Sequence, residues 1–303
     1  MYDIIIIGCG PAGMTAAIYA CRAGMNVLII EGEGIGGQIS YSPKVENFPA
    51  FPALSGAEFA EKMYDQVESF GAQAEIDTVT AVKKNGEGFT VFTEDNTFEC
   101  KSVIIATGLK HSKLGVEGED ELIGNGISYC AMCDGDFYRD RVVAVVGGGN
   151  SALQEAIYLS SICSKVYLIH RRDEFRADKA LVDQAESIDN IIFELCYTVD
   201  GFICDDGVLK SVKLKGTKGN ADKTTDVSGI FAAVGKLPQN EIFAGLIELD
   251  EKGYIKADES CKTNIDGIFV CGDCRTKQIR QLTTAASDGA IAGSAAAEWA
   301  RKH

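Results

Sequence analysis

Cys130-Ala131-Met132-Cys133, with Asp134-Gly135 directly after it, is the segment of this chain best equipped for chemistry. Two thiols at C-x-x-C spacing, in a chain with βαβ units, can close into a disulfide and reopen by thiolate exchange. Asp134 stands where a carboxylate can protonate a leaving thiolate, or equally well cap the turn before Gly135. Zinc would need about four such ligands. The other close pair, Cys271 and Cys274, lies too far along the chain to complete a zinc ribbon with the first. The three histidines, His111, His170 and His303, are too scattered for a histidine-rich metal site, so no metal is expected.

A second kind of chemistry-bearing segment is Gly8-Cys9-Gly10-Pro11-Ala12-Gly13. It follows an apolar strand, residues 2–7, and opens a helix predicted over residues 11–23. A strand over 26–30 comes next and ends on Glu31. Strand, G-x-G-x-x-G, helix, strand and acid together form the dinucleotide-binding fingerprint. The glycines let the backbone approach a pyrophosphate, the helix N-terminus supplies N–H groups, and the carboxylate accepts from ribose hydroxyls. The unit then recurs with an offset of 139 residues, from Gly8 to Gly147. A strand over 141–146 leads into Gly147-Gly148-Gly149-Asn150-Ser151-Ala152, a helix to about residue 161, and a strand over 165–169. At the position matching Glu31 stands His170, followed by Arg171, Arg172 and, further on, Arg176. A carboxylate there would repel a 2′-phosphate, whereas guanidinium groups bind one bidentately. The first turn therefore suits FAD or NAD and the second suits NADPH.

Those turns need a scaffold, and length and composition bound it. The 303 residues suggest about two domains, and 46% hydrophobic residues supply a full core. With 29 basic against 44 acidic side chains the net charge is −15, which argues against nucleic acid or an anionic membrane as partner. No apolar run reaches the roughly 20 residues of a membrane span. The start lacks a signal-peptide pattern, and 11 cysteines is an odd number, so reduced thiols in a cytoplasm are expected. Each half continues through a hairpin signal, Asn85-Gly86 or Asp206-Gly207, and a strand ending in small residues, Ala106-Thr107-Gly108 or Ala233-Val234-Gly235. A last strand over 267–270 runs into Gly272-Asp273, and a small-residue helix covers about 281–300. This tail most simply completes the first domain. The expected fold is α/β: two Rossmann-like dinucleotide-binding domains, the second inserted into the first.

On these motifs the sequence resembles the low-molecular-weight thioredoxin reductases, homodimeric bacterial-type flavoenzymes of the pyridine nucleotide-disulfide oxidoreductase type. The resemblance runs over essentially the whole chain and includes Gly36-Gly37-Gln38, Val45-Glu46-Asn47-Phe48-Pro49 and Arg280-Gln281. It implies residues 1–110 and 241–303 as an FAD-binding domain, and residues 111–240 as an NADPH-binding domain that carries the redox disulfide. FAD would meet Gly8, Gly10, Pro11, Ala12, Gly13, Glu31, Gly32, Glu33, Gly34, Ile35, Gly36, Gly37, Gln38 and Asn47 on one side. Ala106, Thr107, Gly108, Gly272, Asp273, Arg280, Gln281 and Leu282 would complete that site. NADPH would meet Gly147, Gly149, Asn150, Ser151 and Ala152, with His170, Arg171, Arg172 and Arg176 around its 2′-phosphate. Cys130 would exchange with thioredoxin, Cys133 would lie next to the flavin, and Asp134 would be the acid. Segment 272–277, Gly-Asp-Cys-Arg-Thr-Lys, departs from better-known members in its cysteine and basic residues. Cys271 and Cys274 straddle a strand end and a turn facing the flavin, which suits cofactor contact better than a second exchanging pair. Because the disulfide and the NADPH turn share the inserted domain yet serve one flavin, and that domain is tethered only near residues 108–115 and 235–244, a hinge is expected there. The alternatives are a dithiol oxidase and a ferredoxin-driven reductase, disfavoured by the intact second glycine turn and arginines, and a non-enzymatic flavin redox sensor.

Overall fold

The strand Tyr2–Ile7 carries one polar residue besides Tyr2, Asp3 near its start, and its four consecutive isoleucines, Ile4 to Ile7, are buried on both faces. Side chains alternate across a strand. Ile4 and Ile6 enter one layer with Met14, Ala16 and Ile29. Ile5 and Ile7 enter the opposite layer with Leu28, Val103 and Phe243. Each such buried side chain contributes about 1.5–3 kcal/mol. An aspartate at Ile5 or Ile6 would bury an unpaired charge and break the sheet at its centre. The structure, a computed structural model, describes residues 1–42, 45, 47–51 and 53–303, without the side chains of Tyr41 and Cys133. Glu46 of the motif at 45–49 thus lies outside the described residues.

The chain divides into two units, Met1–Lys110 with Leu237–His303, and His111–Lys236. In the first, the sheet order is Gln73–Ile76, Val27–Glu31, Tyr2–Ile7, Thr97–Ile105, Gly88–Thr93, Val79–Asn85, with Ile268–Val270 also paired to Thr97–Ile105. Tyr2–Ile7 runs parallel to both of its neighbours. Helices Pro11–Arg22 and Leu282–Lys302 cover one face. They approach closely because Gly289 and Gly293 leave out side chains: a Cβ on either would sit 2.3–2.4 Å from the carbonyl oxygen of Ala12 or Ala16. The sequence reading drew the boundary at 241, whereas residues 237–240 stay with the first unit. Asn240 is the reason: fully buried, it accepts from Thr107 Oγ1 at 3.1 Å and donates to the carbonyls of Gly253 and Cys274, both at 2.9 Å.

The second unit repeats the plan in a five-stranded parallel sheet. Its order is Ile191–Leu195, Lys165–His170, Val142–Gly147, Gly229–Ala233, Ile127–Ser128. A three-stranded antiparallel sheet, Tyr197–Asp205, Val208–Gly216 and Lys223–Asp226, accompanies it. Its first hairpin turns on Asp206 and Gly207, both at positive φ (49° and 77°), as a tight primed turn requires. In each unit the glycine-bearing strand has its chain successor on one side and the returning strand on the other. That reversal of strand order is where open α/β sheets bind ligands, beyond the carboxyl ends of the strands.

Candidate functional site

In the first unit the helix Pro11–Arg22 starts on Gly10, with proline in its first turn, no side-chain cap and no acid in that turn. Its leading N–H groups and positive end are left for an anion. Gly8 is required by packing: at φ 109°, a Cβ there would sit 2.4 Å from the carbonyl oxygen of Ala106. Gly10 is not, because its Cβ would find only the Gly36 oxygen at 3.9 Å. A glycine bordering open space at an uncapped helix start fits a close-approaching pyrophosphate. Around it the structure gathers several of the expected residues. The Gly36 amide donates to the Cys9 carbonyl at 2.9 Å, and a Cβ on Gly272 would meet that of Ala12 at 2.8 Å. Glu31 accepts from the backbone N–H of Cys9 at 2.7 Å and of Glu33 at 3.0 Å, which sets the carboxylate at the mouth of the turn.

Other expected residues do structural work as well. Glu33 pairs with Lys110 at 2.6 Å on the surface. Asn47 donates to Gln281 at 3.1 Å. Arg280 braces the loop carbonyls of Asp273 and Arg275, both at 3.2 Å, and stacks over Tyr254. Gly32, Gly34, Ile35, Gly37 and Gln38 follow in the loop and short 3-10 helix after Glu31.

The second turn uses the same device. The helix Asn150–Ser160 starts on Gly149 without a side-chain cap or a first-turn acid, and a Cβ on Gly149 would meet nothing within 4 Å. A Cβ on Gly147 would sit 2.4 Å from the Ala233 carbonyl oxygen. Beside this turn lies a cavity of about 310 Å³ whose wall includes Gly147, Gly148, His170, Arg171, Arg176 and Tyr197. Arg171, Arg172 and Arg176 are exposed and form no ion pair among the described residues, although Arg172 is not part of that wall. Of the two acids in the same segment, Asp173 is taken by Lys218 at 2.6 Å. Unpaired guanidinium groups beside an uncapped glycine turn fit a phosphorylated nucleotide. Asn150 is paired with Asp178 through both amide atoms, at 2.7 and 2.8 Å. His170 faces inward: it is 5% exposed, bonded to the Glu174 carbonyl at 3.1 Å and stacked on Phe175. Burial first, then the neighbouring arginines, hold its pKa below the usual histidine value. It is a neutral wall of the cavity, and the positive charge comes from the arginines.

Cys130 is disulfide-bonded. The side chain of Cys133, the expected second member of the pair, lies outside the described residues. Asp134 does not cap the 3-10 helix Gly135–Tyr138 through its side chain. Instead it accepts from Ser128 Oγ at 2.6 Å, and that same hydroxyl oxygen accepts from the Cys130 N–H at 3.0 Å. Met132 and Phe137, 48% and 75% exposed, leave apolar surface beside the cysteine. Cys271 and Cys274 are free, fully buried thiols, so the second C-x-x-C holds no disulfide.

The sequence reading missed Ser128, Asn240, Asp288 and Glu155. Glu155 has a buried carboxylate oxygen with no hydrogen-bond partner. Burial pushes its pKa up to about 7 against the pull of Lys236. The 139-residue offset carried a signal for it, since the matching position in the first helix is Ala16. Among the described residues no helix is long and apolar enough to cross a membrane.

Comparison with known proteins gives one answer at three levels. Residues 2–289 match the family described as pyridine nucleotide-disulphide oxidoreductase. The chain is 42% identical over 299 residues to a thioredoxin reductase of Listeria innocua, covering 99% of this chain and 94% of the relative. It is 42% identical over 294 residues to that of Mycoplasma genitalium, covering 96% and 93%. Among solved structures, Lactococcus lactis thioredoxin reductase in its FR conformation superposes with a TM-score of 0.89 at 39% identity, covering 100% of both chains.

Proposed function

The chain belongs to the thioredoxin reductases of the pyridine nucleotide-disulphide oxidoreductase family, and from that premise we propose that it reduces the thioredoxin disulfide with NADPH, through FAD and the pair Cys130 and Cys133. It is an oxidoreductase of the flavin-dependent kind. The first unit is read as the FAD domain, where the Gly8–Gly13 turn, Glu31 and the segments at 36–38, 106–108 and 272–273 would hold the cofactor. The second is read as the NADPH domain, where the Gly147–Ala152 turn and Arg171, Arg172 and Arg176 would hold the reductant. FAD, when bound, supplies the two-electron relay between nicotinamide and disulfide. In the reduced pair, the Cys130 thiolate attacks the thioredoxin disulfide and releases one thioredoxin thiolate. Cys133 then attacks the Cys130 sulfur, which closes the protein disulfide and frees the second thiolate. Asp134, which accepts from Ser128 Oγ at 2.6 Å, would move a proton to a leaving sulfur. Exposed Met132 and Phe137 offer apolar contact to the incoming protein.

The observation that carries this reading is the second turn: an uncapped glycine turn with unpaired arginines, in the same unit as a disulfide-bonded Cys130. A dithiol oxidase or ferredoxin-driven reductase has no use for that turn. A cytoplasmic homodimer completes the reading, supported by nine free cysteines among the described residues and by the family. Anaerobic titration with NADPH, followed at the flavin band and then with thioredoxin added, tests it. Uptake of two electrons by flavin and two by disulfide is expected. Failure of NADPH to bleach the flavin would overturn it, and a flavin that bleaches without reducing thioredoxin would favour the redox sensor.

A further inference from the structure

We propose that Asp288 is the positioning residue for the flavin-side turn Gly272–Asp273, an inference that rests on the FAD reading above. Asp288 lies near the start of the helix Leu282–Lys302 and is 2% exposed. Its Oδ2 accepts from the Gly272 N–H at 3.0 Å, from Arg275 Nε at 2.8 Å and from Lys277 Nζ at 2.9 Å. Its Oδ1 accepts from Arg275 Nη2 at 2.7 Å. An ionised carboxylate has about four acceptor sites, so this one is filled.

The donor set tells what the carboxylate is for. Charge neutralisation alone would need Arg275 and Lys277, and exposed Glu259 also meets Arg275 at 3.3 Å. It would not need the backbone of Gly272. That backbone is at φ 81° and pressed on Ala12, so the direction of its N–H fixes where Asp273 stands relative to the Gly10–Gly13 turn. Arg280 holds the other side of the same loop through the carbonyls of Asp273 and Arg275. The basic residues at 275 and 277, the departure noted in the sequence, are thereby explained. They are the cationic half of a brace whose anion comes from the C-terminal helix. Without Asp288, the Gly272 N–H loses its acceptor, Lys277 loses its counter-ion and buried Arg275 keeps only the exposed Glu259.

The test is Asp288→Asn in the holoenzyme, which keeps the size of the side chain. FAD affinity, read from free-flavin fluorescence on dilution, is expected to fall about tenfold or more. The visible circular dichroism of the flavin that remains bound is expected to change, which a general loss of stability would not produce. Lys277→Met, which leaves the Gly272 and Arg275 contacts in place, is expected to weaken FAD by less than about threefold. Should Asp288→Asn not fold, Arg275→Lys carries the test, since it keeps the charge and loses one arm of the pair. Its FAD affinity is expected to fall about threefold or more. Unchanged FAD affinity and flavin dichroism in the folded Asp288→Asn variant, or in Arg275→Lys where that must serve, would overturn the inference. So would a Lys277→Met variant as damaged as Asp288→Asn, because that would reduce the brace to charge balance. Wild-type protein unable to bind FAD would overturn the flavin reading itself, and this inference with it.

Discussion

The two glycine turns share a strand–turn–helix plan, and three of the aligned positions at which they differ bear on what surrounds each turn. Position 9 is Cys and 148 is Gly; 16 is Ala and 155 is Glu; 31 is Glu and 170 is His. In the first turn the Glu31 carboxylate reaches back to the Cys9 N–H, and the Cys9 side chain packs in the core. In the second the His170 ring lies over residue 148, where a Cβ would come within 2.1 Å of it, so a side chain there is excluded. The first helix is covered at Ala16 by the C-terminal helix through Gly293, while the second keeps a buried carboxylate at 155. One strand–turn–helix device can thus serve two nucleotides. The residue at the end of the second strand sets the sign of the charge, and the glycine positions adapt to whatever stands there.

The largest test of this comparison is an alanine at either first glycine, where the new methyl meets a carbonyl oxygen at 2.4 Å. Gly147→Ala is expected to slow flavin reduction by NADPH about a hundredfold or more while FAD stays bound. Gly8→Ala is expected to yield protein without FAD. Absorbance spectra and stopped-flow reduction separate the two, and a Gly147→Ala protein that lost its flavin would reverse the assignment of the turns.

Next in size is the Arg171→Gln, Arg172→Gln pair. Charge-assisted bonds to a 2′-phosphate contribute about 1.5–3 kcal/mol each, less where solvent screens them. The KM for NADPH should rise roughly tenfold or more, with NADH kinetics little changed. Equal kinetics for the two coenzymes in the parent would remove the basis for the second turn's specificity.

Gly148→Ala sharpens the comparison further. It should displace the His170 ring and cost about 1–3 kcal/mol of stability. His170→Ala on the same background should recover much of that, and a denaturation cycle of the four proteins measures the coupling. Simple additivity would mean that the ring and the glycine are independent.

The smallest effect concerns Glu155. Its folded pKa of about 7 lies above the ordinary glutamate value of 4.5, so between these pH values the folded protein holds a proton that the unfolded chain has released. Its contribution to stability therefore falls as pH rises through that window. Glu155→Gln should abolish that component, seen as a difference in the slope of melting temperature against pH. Identical slopes would show that the carboxylate titrates normally.

Much of the site was legible from local pattern. The four-isoleucine strand, the two G-x-G-x-x-G-type turns and the C-x-x-C-D segment are each spelled by residues a few positions apart, and the 139-residue repeat shows as two copies of one such local pattern. The element ends were less so, with the helix expected over 11–23 ending at Arg22 and that over 281–300 running to Lys302. Those ends depend on whether the last amides find partners, which composition does not reveal. His170 was read together with the arginines because it adjoins them in sequence. It lines the same cavity as Arg171 and Arg176, but its ring is buried against Phe175 while the arginines stay exposed, a choice made by packing.

By itself, the sequence determined which backbone conformations and charges were available: glycine where a Cβ would strike a carbonyl, guanidinium groups where the first half has an acid, two thiols at C-x-x-C spacing. Only the tertiary structure decided which polar groups are desolvated and by whom they are satisfied. Asn240 bridges Thr107, Gly253 and Cys274, and Asp288 gathers Gly272, Arg275 and Lys277. The physical reason is that a buried polar group is costly unless its bonds are completed, and the groups that complete them are brought close by the packed fold, not by proximity along the chain.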